Sequence, residues 1–353
     1  MNTAPKNNPD GRLLETLRRH FNFSEFRDGQ QEIIQAALSG RDTLGVMPTG
    51  SGKSLCYQLP ALMLPGLTLV ISPLIALMKD QVDALARQGI RATLINSSLK
   101  KEEAERRLLD VSRGKYKLLY IAPERFNIAS FMRLLNRLDV SLVAVDEAHC
   151  ISQWGHDFRP SYLKIKNIVQ KIGRPPIMAL TATATRLVQQ DIIRQLEMND
   201  PVIVVRGFDR PNLKLFAIEL PDEEAKEREL IRIVSSIKGT GIVYVATQKM
   251  VAHVCEVLEL NKMACVGYHA GMDKKHRTEA QNRWLSGEVP IIVATNAFGM
   301  GIDKPDVRFV LHYNIPGSME AYYQEAGRAG RDGKTSYCVL FFSYRDHTIQ
   351  QYL

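Results

Sequence analysis

The chain has 353 residues, of which 45% are hydrophobic and 24% are charged. These values are typical of a globular protein, and the length predicts two domains of ordinary size. Lys and Arg number 46 against 38 Asp and Glu, and the resulting net charge of +8 suits a polyanionic partner without establishing one.

The five cysteines are scattered without a C-x-x-C pair, so we expect no zinc in this chain. Their odd number and the lack of a signal-peptide pattern predict an intracellular location, in the cytoplasm or nucleoid of a bacterium or the nucleus of a eukaryote. Residues 1–10 are polar and predict a flexible tail. The longest apolar region, Leu55–Met78, is interrupted by prolines and a glycine, so it predicts a helix, a turn and a strand, and no membrane partner.

The first half of the chain alternates short apolar runs, typical of buried parallel strands, with amphipathic helical patterns. The predicted strands are Thr43–Met47, Leu67–Ser72, Leu118–Ile121, Leu142–Asp146 and Ile177–Thr181. The predicted helices include Leu74–Gln88, Lys101–Val111 and Arg186–Met198. This order predicts a doubly wound α/β sheet with helices on both faces.

A second series of the same kind follows Pro211 and Asn212. Its predicted strands are Gly241–Val245, Ala264–Tyr268, Val289–Ala294, Phe309–His312 and Tyr337–Phe342. Its predicted helices include Lys226–Ser236, Lys249–Leu260 and Lys275–Leu285. We place the boundary near residue 207, with domains over residues 11–206 and 207–353, each an α/β domain with a parallel sheet flanked by helices.

A loop typical of phosphate binding follows the first predicted strand. Its residues are Thr49, Gly50, Ser51, Gly52, Lys53 and Ser54. The glycines let backbone N–H groups face an anion at the start of a helix, while Lys53 can reach the β- and γ-phosphates and Ser54 can bind Mg²⁺. Met47 stands where the full motif has an earlier glycine, so an ordinary glycine-rich turn is the alternative.

An acidic pair ends a later predicted strand. Asp146 closes the apolar run Leu142–Val145, at the strand edge where open α/β sheets bind ligands. There Asp146 can hold the Mg²⁺ shell, and Glu147 can orient and deprotonate a water molecule that attacks the γ-phosphate. The loop and the acidic pair together predict hydrolysis of a nucleoside triphosphate.

Two arginines of the second half, Arg328 and Arg331, lie three residues apart, and we expect them on one face of a helix. An arginine from a second domain can stabilise the charge that develops on the γ-phosphate when the cleft is closed. A solvated basic helix end is the alternative for this motif by itself. The nucleotide motifs of the first half favour the catalytic interpretation.

In order along the chain, these motifs resemble those of superfamily 2 helicases and, more narrowly, of the RecQ family. The resemblance spans Phe23–Gly333 and rests on motifs I, II, III and VI at Thr49–Ser54, Asp146–His149, Thr181–Thr183 and Gln324–Arg331. Further RecQ-like segments are Phe26–Gln30, Ser72–Gln81, Tyr120–Arg125, Asp146–Pro160, Phe208–Asn212 and Ala297–Pro305. The resemblance implies two RecA-like domains with ATP bound in the cleft between them, the cofactors ATP and Mg²⁺, and 3′→5′ DNA helicase activity in recombination, repair or replication.

The resemblance also assigns an adenine site upstream of the loop. Gln30 would read adenine, Arg27 would support it, and Phe23 would stack on the base where the family usually has tyrosine. The chemistry fits, because a glutamine amide matches the N6/N7 edge of adenine and an aromatic ring stacks on its face. Packing of Phe23 in a cluster of phenylalanines is the alternative.

The segment after motif II resembles the aromatic-rich loop of the family. Its candidate DNA-binding residues are Trp154, His156, Phe158 and Arg159. The aromatic rings can stack on unpaired bases, and the arginine can contact a phosphate. Because this segment is close to Glu147 in the sequence, we predict that DNA contact is coupled to ATP hydrolysis. A buried structural tryptophan is the alternative. Thr181 and Thr183 are candidates for coupling between the domains.

By the same resemblance, the partners are single-stranded and duplex DNA, with a single-strand-binding protein or a topoisomerase as candidate protein partners. The helical hairpin, zinc module and winged helix common in RecQ proteins are not in this sequence, so we interpret it as a fragment or a minimal member. Two other interpretations stay open. One is an ATP-gated nucleic-acid clamp that does not unwind. The other is a DEAD-box type of RNA helicase, which His149 and the aromatic loop disfavour.

Overall fold

A computed structural model describes residues 9–96, 99–155, 157–207, 209–299, 304–343 and 346. The chain divides into two compact units, the first ending at residue 208 and the second beginning at residue 209. The sequence places this boundary near residue 207. No helix among the described residues combines the length and apolar character needed to cross a membrane.

The first unit contains a parallel sheet of seven strands in the order β3-β4-β2-β5-β6-β1-β7. The strands are β1 (Thr43–Val46), β2 (Leu67–Ile71), β3 (Ala92–Ile95), β4 (Leu118–Ile121), β5 (Val140–Val145), β6 (Ile177–Thr181) and β7 (Val202–Val205). The five strands expected from apolar runs are all present. The sequence patterns missed β3 and β7, which are four-residue strands at the two edges of the sheet.

Helices cover both faces of this sheet. They are α1 (Pro9–Phe21), α2 (Gln30–Leu38), α3 (Lys53–Met63), α4 (Ile75–Arg87), α5 (Lys101–Ser112), α6 (Ala129–Leu135), α7 (Ile165–Lys171) and α8 (Arg186–Leu196). Successive residues of one strand enter different apolar clusters: Leu142 and Ala144 pack on one side, Val143 and Val145 on the other. Burial on both faces explains why the strands are continuous apolar runs.

The second unit contains a six-stranded parallel sheet in the order β10-β11-β9-β12-β13-β8. The strands are β8 (Leu213–Glu219), β9 (Thr240–Tyr244), β10 (Cys265–Tyr268), β11 (Ile291–Ala294), β12 (Val307–His312) and β13 (Ser336–Phe342). The helices are α9 (Glu223–Ser236), α10 (Gln248–Leu260), α11 (Lys274–Leu285) and α12 (Met319–Ala326). The sequence patterns missed the edge strand β8 and the short helix α12.

Each of these four helices begins at a capping side chain. Asp222, Thr247, Asp273 and Ser318 each accept a hydrogen bond from the backbone N–H three residues later. The oxygen of a capping side chain satisfies one of the N–H groups that the first helical turn leaves without a partner. The local sequence therefore determines where these helices start.

Candidate functional site

The predicted phosphate loop joins β1 to α3. Gly50 and Gly52 have φ angles of +80° and +79°, in the left-handed region that favours glycine. Gly52 begins α3 without a side-chain cap, so the first-turn N–H groups remain available to an anion. A Cβ atom at Gly52 would lie 2.7 Å from the Gln30 side-chain nitrogen, which leaves no room for a larger residue.

Two polar groups of the loop are placed to meet an anion. The Lys53 ammonium donates to the carbonyl oxygens of Met47 and Pro48, at 3.2 Å each. The Ser51 hydroxyl is buried without a hydrogen-bond partner among the described residues. Positive charge, backbone N–H groups and an unused hydroxyl around one loop form a donor set that fits the phosphates of a nucleotide.

Asp146 lies just beyond β5, at the carboxyl edge of the same sheet. Its backbone N–H donates to the Ile71 carbonyl at 2.9 Å, and its own carbonyl accepts from the buried Tyr162 hydroxyl at 3.0 Å. Burial raises the pKa of the Asp146 carboxyl, the Glu147 charge raises it further, and the Lys53 charge opposes both. The loop lysine and the acidic pair therefore act electrostatically on one another.

Glu147 follows in a left-handed conformation, with φ +48°, and lies near the buried His149. The His149 Nδ1 atom is 2.8 Å from the Thr181 hydroxyl, which donates to the Thr183 carbonyl at 3.1 Å. Nδ1 and this hydroxyl are hydrogen-bonded to one another, whereas the contact of Nδ1 with Glu147 Oε2 is longer, at 3.4 Å. Glu147 Oε2 has no hydrogen-bond partner among the described residues.

This arrangement joins motif II to motif III within the first unit. The sequence singled out Thr181 and Thr183, but not their link to His149. A histidine after the acidic pair and a threonine at the end of the neighbouring strand β6 were the signals for it, because parallel strands end at the same edge.

The predicted adenine motif lies against the phosphate loop. The Gln30 side-chain nitrogen donates to the carbonyls of Ser51 and Gly52 at 2.9 and 3.1 Å. Its oxygen accepts from the Arg27 backbone N–H at 2.9 Å, and the Arg27 guanidinium donates to a loop carbonyl. Phe23 is 50% exposed, so its ring is not a core residue. The motif thus supports the loop backbone in this structure.

The aromatic-rich loop presents an exposed tryptophan and an anchored arginine. Trp154 is 68% exposed, which rules out a buried core residue, and Phe158 is half-buried. Arg159 pairs with Asp157, at 3.0 Å, and donates to the Pro73 carbonyl at 3.2 Å. The predicted residue His156 lies outside the described residues.

The loop is also tied to motif II. The Arg159 backbone N–H donates to the Cys150 carbonyl at 2.8 Å. Tyr162, whose backbone N–H donates to the Arg159 carbonyl at 2.9 Å, reaches the Asp146 carbonyl. A hydrogen-bonded path therefore runs from the aromatic loop to the acidic pair.

In the second unit, the structure corrects the expected position of Arg328 and Arg331. Helix α12 ends at Ala326, so neither arginine lies on it. The chain leaves the helix at Gly327 and turns at Gly330, where φ is +56°.

The two arginines consequently occupy different environments. Arg328 is 6% exposed and hydrogen-bonds to Tyr244, whose hydroxyl donates to the Phe298 carbonyl at 2.8 Å. Arg331 is half-buried. Burial raises the pKa of Tyr244, and the charges of both arginines oppose that rise.

Among the described residues, no cluster of three or more His, Cys, Asp or Glu side chains could hold a metal ion. The two predicted Mg²⁺ ligands, Ser54 and Asp146, belong to a different kind of site. Mg²⁺ usually binds through one or two protein ligands, phosphate oxygens and water, so a protein cage is not required.

Family comparisons cover both units. Residues 27–191 match the DEAD/DEAH box helicase family, and residues 225–333 match the helicase conserved C-terminal domain. The structure superposes on Saccharomyces cerevisiae Dbp5 bound to RNA and ADP BeF3 with a TM-score of 0.76 and 18% identity, covering 99% of this chain and 92% of that one. For Mycobacterium smegmatis helicase Lhr bound to ssDNA and AMP-PNP, the TM-score is 0.77 at 22% identity, covering 95% and 48%. At these identities the likeness establishes the fold: two RecA-like α/β units.

Several proteins are more similar to this chain in sequence than these two solved structures are. The chain is 50% identical to the ATP-dependent DNA helicase RecQ of Bacillus subtilis, over 97% of this chain and 58% of that protein. It is 46% identical to the RecQ of Pasteurella multocida, over 95% and 52%. It thus spans a little over half the length of these relatives. It also covers 68% of the probable ATP-dependent DNA helicase RecS of Bacillus subtilis, at 42% identity. With this identity and the ordered motifs on two RecA-like units, the chain belongs to the RecQ family of superfamily 2 helicases.

Proposed function

We propose that this chain is the ATP-driven motor of a RecQ-type DNA helicase, which moves 3′→5′ on single-stranded DNA and separates duplex DNA. The observation that carries this proposal is the meeting of the loop Thr49–Ser54 with Asp146 and Glu147 at one sheet edge. ATP as the nucleotide and DNA as the substrate are inferred from the names of the relatives, and the 3′→5′ polarity is inferred from the family resemblance. An intracellular location and a single-strand-binding protein or topoisomerase as partner are proposed on the same grounds.

The first step is to hold the nucleotide. The N–H groups at the start of α3 receive the phosphates, and the Lys53 ammonium exchanges its two 3.2 Å carbonyl contacts for the β- and γ-phosphates. Ser54 and Asp146 would hold Mg²⁺, which when bound adds positive charge beside the phosphate oxygens. The buried, unsatisfied Ser51 hydroxyl gains an acceptor.

The second step is to activate water. Glu147 Oε2 has no hydrogen-bond partner among the described residues, so it is available to accept a proton. Because the Thr181 hydroxyl occupies Nδ1 of His149, the histidine does not neutralise that oxygen. Glu147 is therefore the general base, and His149, whose Nδ1 lies 3.4 Å from Glu147 Oε2, is hydrogen-bonded to Thr181 of motif III.

Adenine recognition by Gln30 is tested by substitution. Gln30→Ala should reduce the preference for ATP over GTP, because the N6/N7 edge of adenine would go unread. Gln30 also donates to two carbonyls of the phosphate loop. If its loss only disturbs the loop, turnover of ATP and of GTP should fall equally. The ratio of the two kcat/KM values separates these effects, and an unchanged ratio would show that the motif is structural.

Coupling to DNA is tested at Trp154. Trp154→Ala should leave basal ATPase activity largely intact but reduce its stimulation by single-stranded DNA, because a lost base stack costs about 1–3 kcal/mol. Trp154→Phe is the matched control, since it retains an aromatic face. Titration of oligo-dT in an ATPase assay measures the effect. Full stimulation of the folded alanine variant would refute the coupling role.

Strand displacement tests the whole proposal. With ATP and a 3′ overhang, the chain should release a labelled strand from a DNA duplex faster than from an RNA duplex of equal sequence. DNA-stimulated ATP hydrolysis without displacement would instead identify an ATP-gated clamp, and preference for the RNA duplex would identify an RNA helicase.

A further inference from the structure

A buried histidine of the second unit lies beside the arginine motif. His312 is the last residue of β12, an interior strand of the sheet, and it is 1% exposed. Its Nε2 atom lies 2.9 Å from Oε2 of Glu325, the last residue but one of α12. A carboxylate only accepts hydrogen bonds, so Nε2 carries the hydrogen and donates it. The side chain therefore joins the end of β12 to the last turn of α12.

The His312 ring packs between two tyrosines. It lies nearly parallel to the Tyr244 ring, with the centroids 5.4 Å apart and the planes at 21°. Tyr244 is the partner of His312 in the parallel pairing of β9 with β12. The Tyr322 ring of α12 lies 5.0 Å from the imidazole. Nδ1 is buried without a hydrogen-bond partner among the described residues, so the bond to Glu325 sets the orientation of the ring.

Two of these neighbours also hold Arg328. The Tyr244 hydroxyl is hydrogen-bonded to the Arg328 side chain. The Glu325 carbonyl accepts the Arg328 backbone N–H at 3.2 Å. His312 therefore contacts the side-chain partner of Arg328 through its ring, and the main-chain partner through Nε2.

Arg328 depends on such contacts for its position. Helix α12 ends at Ala326, so regular helical geometry does not place this residue. The guanidinium is buried, and its Nε atom has no hydrogen-bond partner among the described residues. A reacting group that is displaced by about 1 Å can lose about a hundredfold in rate. The groups that fix Tyr244 and Glu325 therefore determine how well Arg328 is aimed.

We propose that His312 is a positioning residue for Arg328, acting through Glu325 and Tyr244. This role rests on the proposed function, an ATP-driven motor in which Arg328 stabilises the charge that develops on the γ-phosphate. Because His312 acts through the placement of the guanidinium, its loss should lower kcat while ATP affinity changes little.

Two amide substitutions test the hydrogen bond. In His312→Gln the side-chain nitrogen takes the place of Nε2, whereas in His312→Asn it takes the place of Nδ1 and falls short of Glu325. We expect His312→Asn to lower kcat about tenfold with the Kd for ATP nearly unchanged, and His312→Gln to stay within about threefold of wild type. Single-turnover ATP hydrolysis and titration with a fluorescent ATP analogue measure the two quantities.

A double-mutant cycle tests whether the effect passes through the arginine. If it does, the variant that combines His312→Asn with Arg328→Ala should be no slower than Arg328→Ala by itself. His253→Asn is the matched control, because His253 Nε2 lies 2.8 Å from Glu227 Oε1 in another histidine–glutamate pair of this unit. It should change neither kcat nor ATP affinity.

Multiplied effects of His312→Asn and Arg328→Ala would overturn the proposal, and so would equal kcat values for His312→Asn and His312→Gln. Either result leaves the arginine its own role. Wild-type kcat in Arg328→Ala would instead refute the role of the arginine and, with it, that of His312. If His312→Asn does not fold, Tyr244→Phe decides, since it removes the hydroxyl bonded to Arg328 but keeps the ring. Wild-type kcat in that variant would contradict the proposal.

Discussion

Lys53→Ala is expected to lower ATP turnover by at least about a hundredfold, because the phosphates lose the positive charge that compensates them in the transition state. The Lys53 ammonium donates to two backbone carbonyls at 3.2 Å and packs in no apolar core, so its removal should change the thermal midpoint little. Steady-state hydrolysis and ATP binding by a fluorescent analogue measure the two effects. Binding should weaken together with turnover.

Lys166→Ala is the matched control. This lysine lies on the surface of α7 and pairs with Glu197, so its loss should change neither activity nor nucleotide binding. Near-normal ATP hydrolysis by folded Lys53→Ala protein would show that the phosphate loop takes no part in the mechanism.

The complementary change, Glu147→Gln, should leave ATP binding intact while turnover becomes very slow, because the amide cannot accept a proton from water. Glu197→Gln provides the control for the same chemical change at an exposed position. If Glu147→Gln retained wild-type turnover, the general base would have to be another residue.

Substitution of Arg331 or Arg328 is expected to have the second large effect on ATP turnover. Either alanine variant should reduce turnover by about 10³-fold while nucleotide affinity changes little, because an arginine that stabilises transition-state charge contributes mainly to kcat. The measurement is a comparison of kcat with the dissociation constant for ATP. Affinity falling in step with kcat would identify ordinary nucleotide binding instead.

The structure separates the two arginines. Arg328 is buried and bonded to Tyr244, so Arg328→Ala should also lower the thermal midpoint, whereas half-buried Arg331 should cost less stability. Arg328→Lys keeps the charge but not the geometry of the guanidinium. Arg283→Ala, which removes an exposed arginine paired with Glu288, should have no effect on either property.

Residue patterns were sufficient for the central strands of both sheets. Runs such as Leu142–Val145 are apolar throughout because both faces are buried, and this pattern is visible without knowledge of neighbours. The edge strands β3, β7 and β8 escaped detection, although the fourth edge strand, β10, was predicted. β8 forms by pairing with β13, a distant segment that no local pattern reveals.

Some features of the candidate site could likewise be predicted from the sequence, and others could not. The glycines, lysine and acidic pair of the nucleotide motifs are recognisable from sequence because their chemistry requires those residue types at close spacing. The fold class and the RecQ family membership rest on the same ordered motifs. Exposure of Trp154 required coordinates, since a tryptophan on a loop is equally compatible with a core position.

Long-range contacts were decided by the tertiary structure. The hydrogen bond of His149 to Thr181 joins residues 32 positions apart, and the bonds of Gln30 join it to loop carbonyls 21 and 22 positions away. The three-residue spacing predicted Arg328 and Arg331 on one face of a helix. Spacing determines the face only while the helix continues. Helix α12 ends at Ala326, and the environment of each arginine beyond that point is set by packing against Tyr244 and its neighbours, which no local pattern encodes.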